Sequence, residues 1–167
     1  MHVHNVHERA FPMPLATVGA LFDTLTSRED RLWPSGKWPP MRFDRPLAVG
    51  AVGGHGPVRY SVEEYHPGRS IRFRFTAPRG FNGTHRFEVE ERGGKTVLRH
   101  VIDMRALGPA RLSWPLFFRP LHDACLEDSL DCATASLGIQ LERPARWSIY
   151  VRLLRAIRQS VIRSGRR

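Results

Sequence analysis

His85, His100 and His122 each interrupt an otherwise apolar pattern, and the chemistry open to this chain starts with them. A neutral imidazole both donates and accepts near pH 7, so it can orient a carbonyl or phenol, or move a proton as general acid or base. These three are the candidate catalytic residues, with Tyr60 as a fourth polar group among aliphatic and phenyl side chains. The same pattern also admits a structural role, in which each imidazole is hydrogen-bonded to backbone or to Tyr60 inside a mixed core. No metal is expected, because no short ligand spacing such as His-Glu-x-x-His occurs, and no cofactor is expected either.

The neighbours of His122 add little on this reading. Adjacent residues on a helix diverge by about 100°, so Asp123 is not expected to orient His122. Asp123, Glu127 and Asp128 read as solvated or dipole-favoured acids. The glycines at 50, 53, 54 and 56 lack the G-x-G-x-x-G spacing and lead into a strand, which removes a phosphate loop, and Ser113, Ser129 and Ser136 lack a nucleophile-elbow context.

The histidines must be positioned by strands and a helix. Four alternating runs between Pro57 and Arg105 place Val58, Tyr60 and Val62 on one parity, then Ile71, Phe73 and Phe75, then His85, Phe87 and Val89, then Leu98, His100, Ile102 and Met104. Successive strand residues point to opposite faces, so these sets line one surface, and the arginines and acids between them line a wet one. Turns are expected at Pro67-Gly68, Asn82-Gly83 and Gly93-Gly94. His122, Leu126, Leu130, Ala133 and Leu137 recur at helical spacing, which predicts a covering helix over 121–137, interrupted upstream by Pro115 and Pro120 and stopped by Gly138.

Before the meander, residues 2–11 predict a strand and Leu15 to Leu25 a helix, with a second short helix after Ser27. Four prolines between Asp30 and Pro46, interleaved with Trp33, Trp38, Met41 and Phe43, predict a stiff loop packed by its own rings. Trp33 and Trp38 there are either core plugs or a lid over a ligand. Leu47 to Gly56 predicts a short strand ending in a glycine-rich turn.

The order strand, helices, aromatic loop, antiparallel strands and long closing helix resembles the helix-grip fold of the START-like superfamily. It is similar in particular to the bacterial polyketide cyclase/dehydrase and lipid-transport proteins of the SRPBCC superfamily. The stretches that carry the resemblance are HERAFPMPLATVGALFDTL, GGHGPVRYSVEEYHPGRSIRFRF and HDACLEDSLDCATASLG, over about residues 2 to 138. The resemblance implies an α+β helix-grip domain, a curved antiparallel sheet wrapped around a long helix, at 1–138. It implies a cavity for an apolar molecule and leaves the chemistry open, since that superfamily hosts many ligands.

Residues 139–167 fall outside the pattern and carry +7 of the net charge of +10. Trp147, Tyr150, Val151, Leu154, Ile157 and Val161 form a stripe bordered by arginines, which predicts a basic amphipathic helix over 145–163. Such a helix docks on its own domain, on a second subunit, or on an anionic membrane surface. Nucleic acid is disfavoured, because the body has no comparable basic face and no recognition motif. The start of the chain lacks an apolar export segment, and Cys125 and Cys132 sit too far apart along one helix to pair, so a cytoplasmic protein with free thiols is expected, possible contact with the inner membrane face apart.

The expected function is binding of a small hydrophobic molecule, aromatic or lipid-like, in an internal cavity. Its ligand-binding residues would be Trp33, Trp38, Tyr60, Phe73, Phe75, His85, Phe87, His100, Ile102, Met104, His122 and Leu126. The alternatives are a cyclase or dehydratase using the cavity histidines, and a membrane-associated module working through the tail.

Overall fold

The computed structural model describes residues 1–164, with side chains through Ile157. Seven antiparallel strands form one sheet in the order β1-β7-β6-β5-β4-β3-β2. These are β1 (His2–Phe11), β2 (Arg42–Phe43), β3 (Val52–His55), β4 (Val58–His66), β5 (Ser70–Ala77), β6 (Phe81–Arg92) and β7 (Lys95–Ala106). β1 pairs with β7 along its whole length, from His2 opposite Arg105 to Phe11 opposite Thr96. The first strand therefore sits beside the last, and its inner parity joins the surface that the meander presents.

That inner surface is the one read from the alternation. Tyr60, Phe73, His85, Phe87, Leu98, His100, Ile102 and Met104 are all buried. The outer face carries ion pairs such as Arg72–Glu63, Arg86–Glu88 and Arg92–Glu8. Exposed pairs of this kind contribute at most about 1 kcal/mol each, so the inner face holds the sheet in place.

Two turns form where expected, but Asn82-Gly83 lies within β6. The chain reverses instead after a cis Ala77–Pro78 bond, where the Phe81 amide donates to the Pro78 carbonyl at 3.1 Å. Gly83 faces Met104 on β7, and a Cβ there would lie 2.3 Å from the Asp103 carbonyl oxygen and 2.4 Å from Met104 Cα. Its glycine serves a close backbone approach between strands, not a turn.

The Leu15–Leu25 helix is shorter than expected: α1 covers Leu15–Gly19, and a single 3-10 turn follows at Phe22–Thr24. No helix forms after Ser27. The Asp30 carboxylate accepts from the backbone amides of Thr26, Leu32 and Trp33 and so satisfies the donors that a helix would have used.

Nor do Pro115 and Pro120 break the covering helix. α2 (Ala110–Ser113), a π-helical turn (Trp114–Phe118) and α3 (Arg119–Ser136) form one rod of 27 residues. Each proline occupies the first turn of its segment, where a missing N–H is least costly, and the widened turn absorbs the mismatch. Gly138, at φ +74°, ends the rod as expected. Both cysteines are free, Cys125 buried under the sheet.

The tail forms α4 (Ile149–Ser164). Val151 and Leu154 are buried against the domain, while Tyr150 is largely exposed and its hydroxyl donates to the Leu116 carbonyl at 2.6 Å. Ile157, expected on the same stripe, is 53% exposed. The side chains of Arg158, Val161 and Arg163 lie outside the described residues. Among the described residues no helix is long and apolar enough to cross a membrane.

Candidate ligand cavity

A cavity of about 110 Å³ lies between the inner face of the sheet, the rod and the proline-rich loop. Phe75, Phe81, His85, Phe87, His100 and Ile102 form the sheet wall. Trp114, Phe118, Leu121, His122, Cys125 and Leu126 form the rod wall, and Trp33, Trp38, Pro39 and Met41 close it from the loop. The π-helical turn matters here, because it supplies Trp114 and Phe118. An apolar cavity of about 150 Å³ in another protein accommodates benzene. The space is on the scale of a single ring.

Of the residues expected to contact a ligand, Trp33, Trp38, Phe75, His85, Phe87, His100, Ile102, His122 and Leu126 line this space. Tyr60, Phe73 and Met104 stand behind it. Tyr60 packs edge-on against His85 with ring centres 4.7 Å apart, and Phe73 stacks on the same imidazole at 4.8 Å. Met104 belongs to a separate buried cluster with Phe81, Ile102 and Trp114. Alternation along a strand identifies the buried face but not the depth at which each residue sits.

The three histidines converge. His85 Nδ1 and His100 Nε2 are 3.2 Å apart, and the His100 and His122 rings lie 5.0 Å centre to centre. Among the described residues His85 Nε2, His100 Nδ1 and His122 Nε2 have no hydrogen-bond partner. Burial, reinforced by neighbouring imidazoles, holds His85 and His100 well below the usual histidine range, so both are neutral at pH 7. His122 is also lowered by burial, against an opposing contact with Asp123, whose carboxylate lies 3.4 Å from its Nδ1. Asp123 thus does approach His122, at the long limit of a hydrogen bond, although the two are adjacent in sequence.

The acids of the rod are not merely solvated. Asp123, Glu127 and Asp131, spaced four apart on α3, meet Asn5, His7 and Arg9, spaced two apart on β1. Four helical residues rise about 6 Å and two strand residues about 6.7 Å, so the two series stay in step. His7 Nε2 donates to Asp123 at 3.1 Å and Nδ1 to Glu127 at 2.8 Å. Burial acts against a charged His7, but hydrogen bonds and attraction from Asp123 and Glu127 outweigh it and raise its pKa to about 9. For Asp123 burial acts to raise the pKa, and hydrogen bonds from His122 and His7 prevail, holding it well below the usual carboxylate range.

Asp128 departs furthest from expectation. Its side chain is fully buried and accepts from Lys37 Nζ at 2.6 Å, Trp38 Nε1 at 2.7 Å and Trp147 Nε1 at 2.7 Å. Ser129 and Ser136 add hydrogen bonds to the carbonyls of Leu32 and Arg31. The loop that closes the cavity is thereby fastened to the rod, and through Trp147 to the tail.

No family model matches the chain, and no curated protein matches it in sequence. Solved structures share its architecture. CalU16 from Micromonospora echinospora aligns with a TM-score of 0.58 at 13% identity, over 96% of this chain and 86% of CalU16. KanY aligns with a TM-score of 0.60 at 11% identity, over 83% of this chain and 99% of KanY. A norcoclaurine synthase point mutant from Thalictrum, in complex with a transition-state analogue, aligns with a TM-score of 0.58 at 13% identity, over 82% and 96% of the two chains. The chain therefore has an α+β helix-grip fold, the architecture that these structures share.

Proposed function

We propose that this domain binds a small hydrophobic molecule, aromatic in preference, in the cavity between sheet, rod and loop. The observation that carries the reading is the composition of the wall: indole, phenyl and aliphatic surface with four histidines, of which His85, His100 and His122 each retain a buried nitrogen that has no hydrogen-bond partner among the described residues. Such a surface gains by covering apolar area and offers a few hydrogen bonds to a carbonyl or hydroxyl. Norcoclaurine synthase, which shares the fold, holds a transition-state analogue. Titration with a solvatochromic aromatic probe tests the reading. One probe bound per chain, displaced by the native ligand recovered by native mass spectrometry, is expected; a wild-type protein that leaves every such probe in water refutes it.

A second reading is an enzyme of cyclase or dehydratase type, favoured by the contact between His85 and His100. Neutral imidazoles there can accept a proton from a bound phenol or activated methylene and return it. His100→Gln then lowers turnover by about 10² to 10⁴ with the fold intact. Unchanged turnover returns His100 to a binding or structural role.

The tail's part is a proposal of the same kind. Val151 and Leu154 dock on the domain, yet Ile149, Leu153 and Ile157 stay exposed, as do Leu112, Leu116 and Phe117 on the rod that Tyr150 reaches. With the arginines of the tail this supports contact with an anionic lipid surface. Flotation of full-length protein with anionic but not neutral liposomes is expected, and equal behaviour with both refutes it.

A further inference from the structure

The seam between β1 and α3 carries a group of side chains of which only His122 also faces the cavity. His7, His122 and Asp123 each offer one donor atom, and those three atoms all lie within 4.8 Å of one another. His7 Nε2 is 3.1 Å and His122 Nδ1 is 3.4 Å from the same Asp123 oxygen. Zinc bonds of about 2.0–2.2 Å to nitrogen and oxygen give tetrahedral edges of about 3.4 Å, so two of the three edges already have coordination length.

Two further observations point the same way. Glu127 accepts from His7 Nδ1 at 2.8 Å, so a cation that displaces the Nε2 proton meets the Nε2 lone pair beside the Asp123 oxygen; this is the carboxylate–histidine pairing that orients metal-bound imidazoles. Asn5 Nδ2 lies 3.0 Å from the Asp123 oxygen, and its Oδ1 is buried without a partner among the described residues. Amide nitrogen and oxygen are assigned from hydrogen bonding, and a half-turn of this amide brings Oδ1 to the place of Nδ2. Two oxygens at that separation are tolerated when a cation lies between them. Arg119 reaches the other Asp123 oxygen at 3.6 Å, which leaves the shared one for the ion.

We propose that His7, Asp123 and His122 form a binding site for a divalent first-row transition metal ion of zinc-like preference, with Asn5 Oδ1 as the fourth donor and Glu127 as a positioning residue. The donors stand on a strand and a helix, so the site is preorganised. His122 also lines the cavity, and the ion sits beside its wall. Short-range motifs pass over the site because His7 and Asp123 are 116 positions apart. The proposal stands independently of what the cavity binds.

Full-length protein stripped with chelator and titrated calorimetrically with Zn²⁺ and Co²⁺ tests it. One equivalent of either ion per chain is expected, with visible Co²⁺ bands of tetrahedral intensity. His7→Gln and Asp123→Asn lower the affinity at least about 100-fold, whereas Glu127→Gln lowers it about 10- to 100-fold and keeps the bands at saturation. His2→Gln, at the far end of β1, leaves both unchanged. Absence of stoichiometric binding by the wild type overturns the proposal whether or not the variants fold. So does X-ray absorption of the zinc complex showing fewer than two imidazoles, or unchanged affinity in His7→Gln and Asp123→Asn.

Discussion

Trp38 and Trp147 donate their indole N–H groups to the same oxygen of Asp128, each at 2.7 Å, although one closes the cavity and the other opens the tail. Their rings meet edge to face at 5.6 Å, and the Arg155 guanidinium lies over both, 4.3 Å and 3.9 Å from the ring centres. A buried carboxylate with two indole donors is stabilised as a unit, so loop, rod and tail are coupled.

Removing one donor leaves the anion more dependent on the other. Trp147→Phe should cost about 2 kcal/mol, the scale of a hydrogen bond to a charged group. The double variant with Trp38→Phe should lose more than the sum of the singles by at least about 0.5 kcal/mol. Urea unfolding of the four proteins measures this. Strict additivity would mean that tail and loop are held separately.

Stability of the metal-free protein should depend on pH as a dome. His85 and His100 are held below their ordinary value of 6.5, so under acid the unfolded chain takes up protons that the folded one refuses. Their contribution is present above pH 6.5 and is lost as pH falls toward their folded pKa values, by about 1.4 kcal/mol per pH unit for each. His7 acts in the opposite direction: raised from 6.5 to about 9, it stabilises fully below 6.5, and that contribution is lost as pH rises through 9. Thermal melts in chelator between pH 5 and 10 check both limbs, and His7→Gln should flatten the alkaline one.

Phe87 is 1% exposed and lines the cavity between Phe22 and His100, with ring centres at 6.1 Å and 4.6 Å. Phe87→Ala should destabilise the fold by about 3–5 kcal/mol through lost burial and an enlarged void. The same void should accept larger aromatic probes than the wild type does. Fluorescence titration with one-ring and two-ring probes checks this; unchanged size selectivity would place the binding locus elsewhere.

The sheet, its inner face and the covering helix were legible because they rest on periodicity, which is local. Tyr60, Phe73, His85 and Leu98 are buried for the reason their parity announces. What stayed hidden is long-range. Asp128 looks like an ordinary helical acid until Lys37, Trp38 and Trp147 arrive from segments far away in the chain. His7 lies on a strand whose partner is β7 and whose polar contacts are on α3, so neither its burial nor its two carboxylates can be inferred from its neighbours. The volume of the cavity depends on how far the loop rings descend, which composition does not encode.

The misplaced hairpin gives a final test. Asn-Gly is a strong turn former, yet residues 82 and 83 are strand, because the reversal is made by residues 77–80 and β6 must pass close to β7 at Gly83. If close approach is the reason for glycine, then Gly83→Ala must push β6 from β7, since its Cβ meets backbone at 2.3 Å and 2.4 Å and no flexible side-chain end can yield there. The loss should exceed about 1 kcal/mol and should weaken amide protection at the paired residues of β7. Gly93→Ala, in the β6–β7 hairpin at φ +58° with nothing within 4 Å of its Cβ, carries only the penalty of a left-handed alanine. Urea denaturation with hydrogen exchange compares the two. A Gly83→Ala loss no larger than that of Gly93→Ala, with protection of Asp103 and Met104 unchanged, would show that the strands have room to spare.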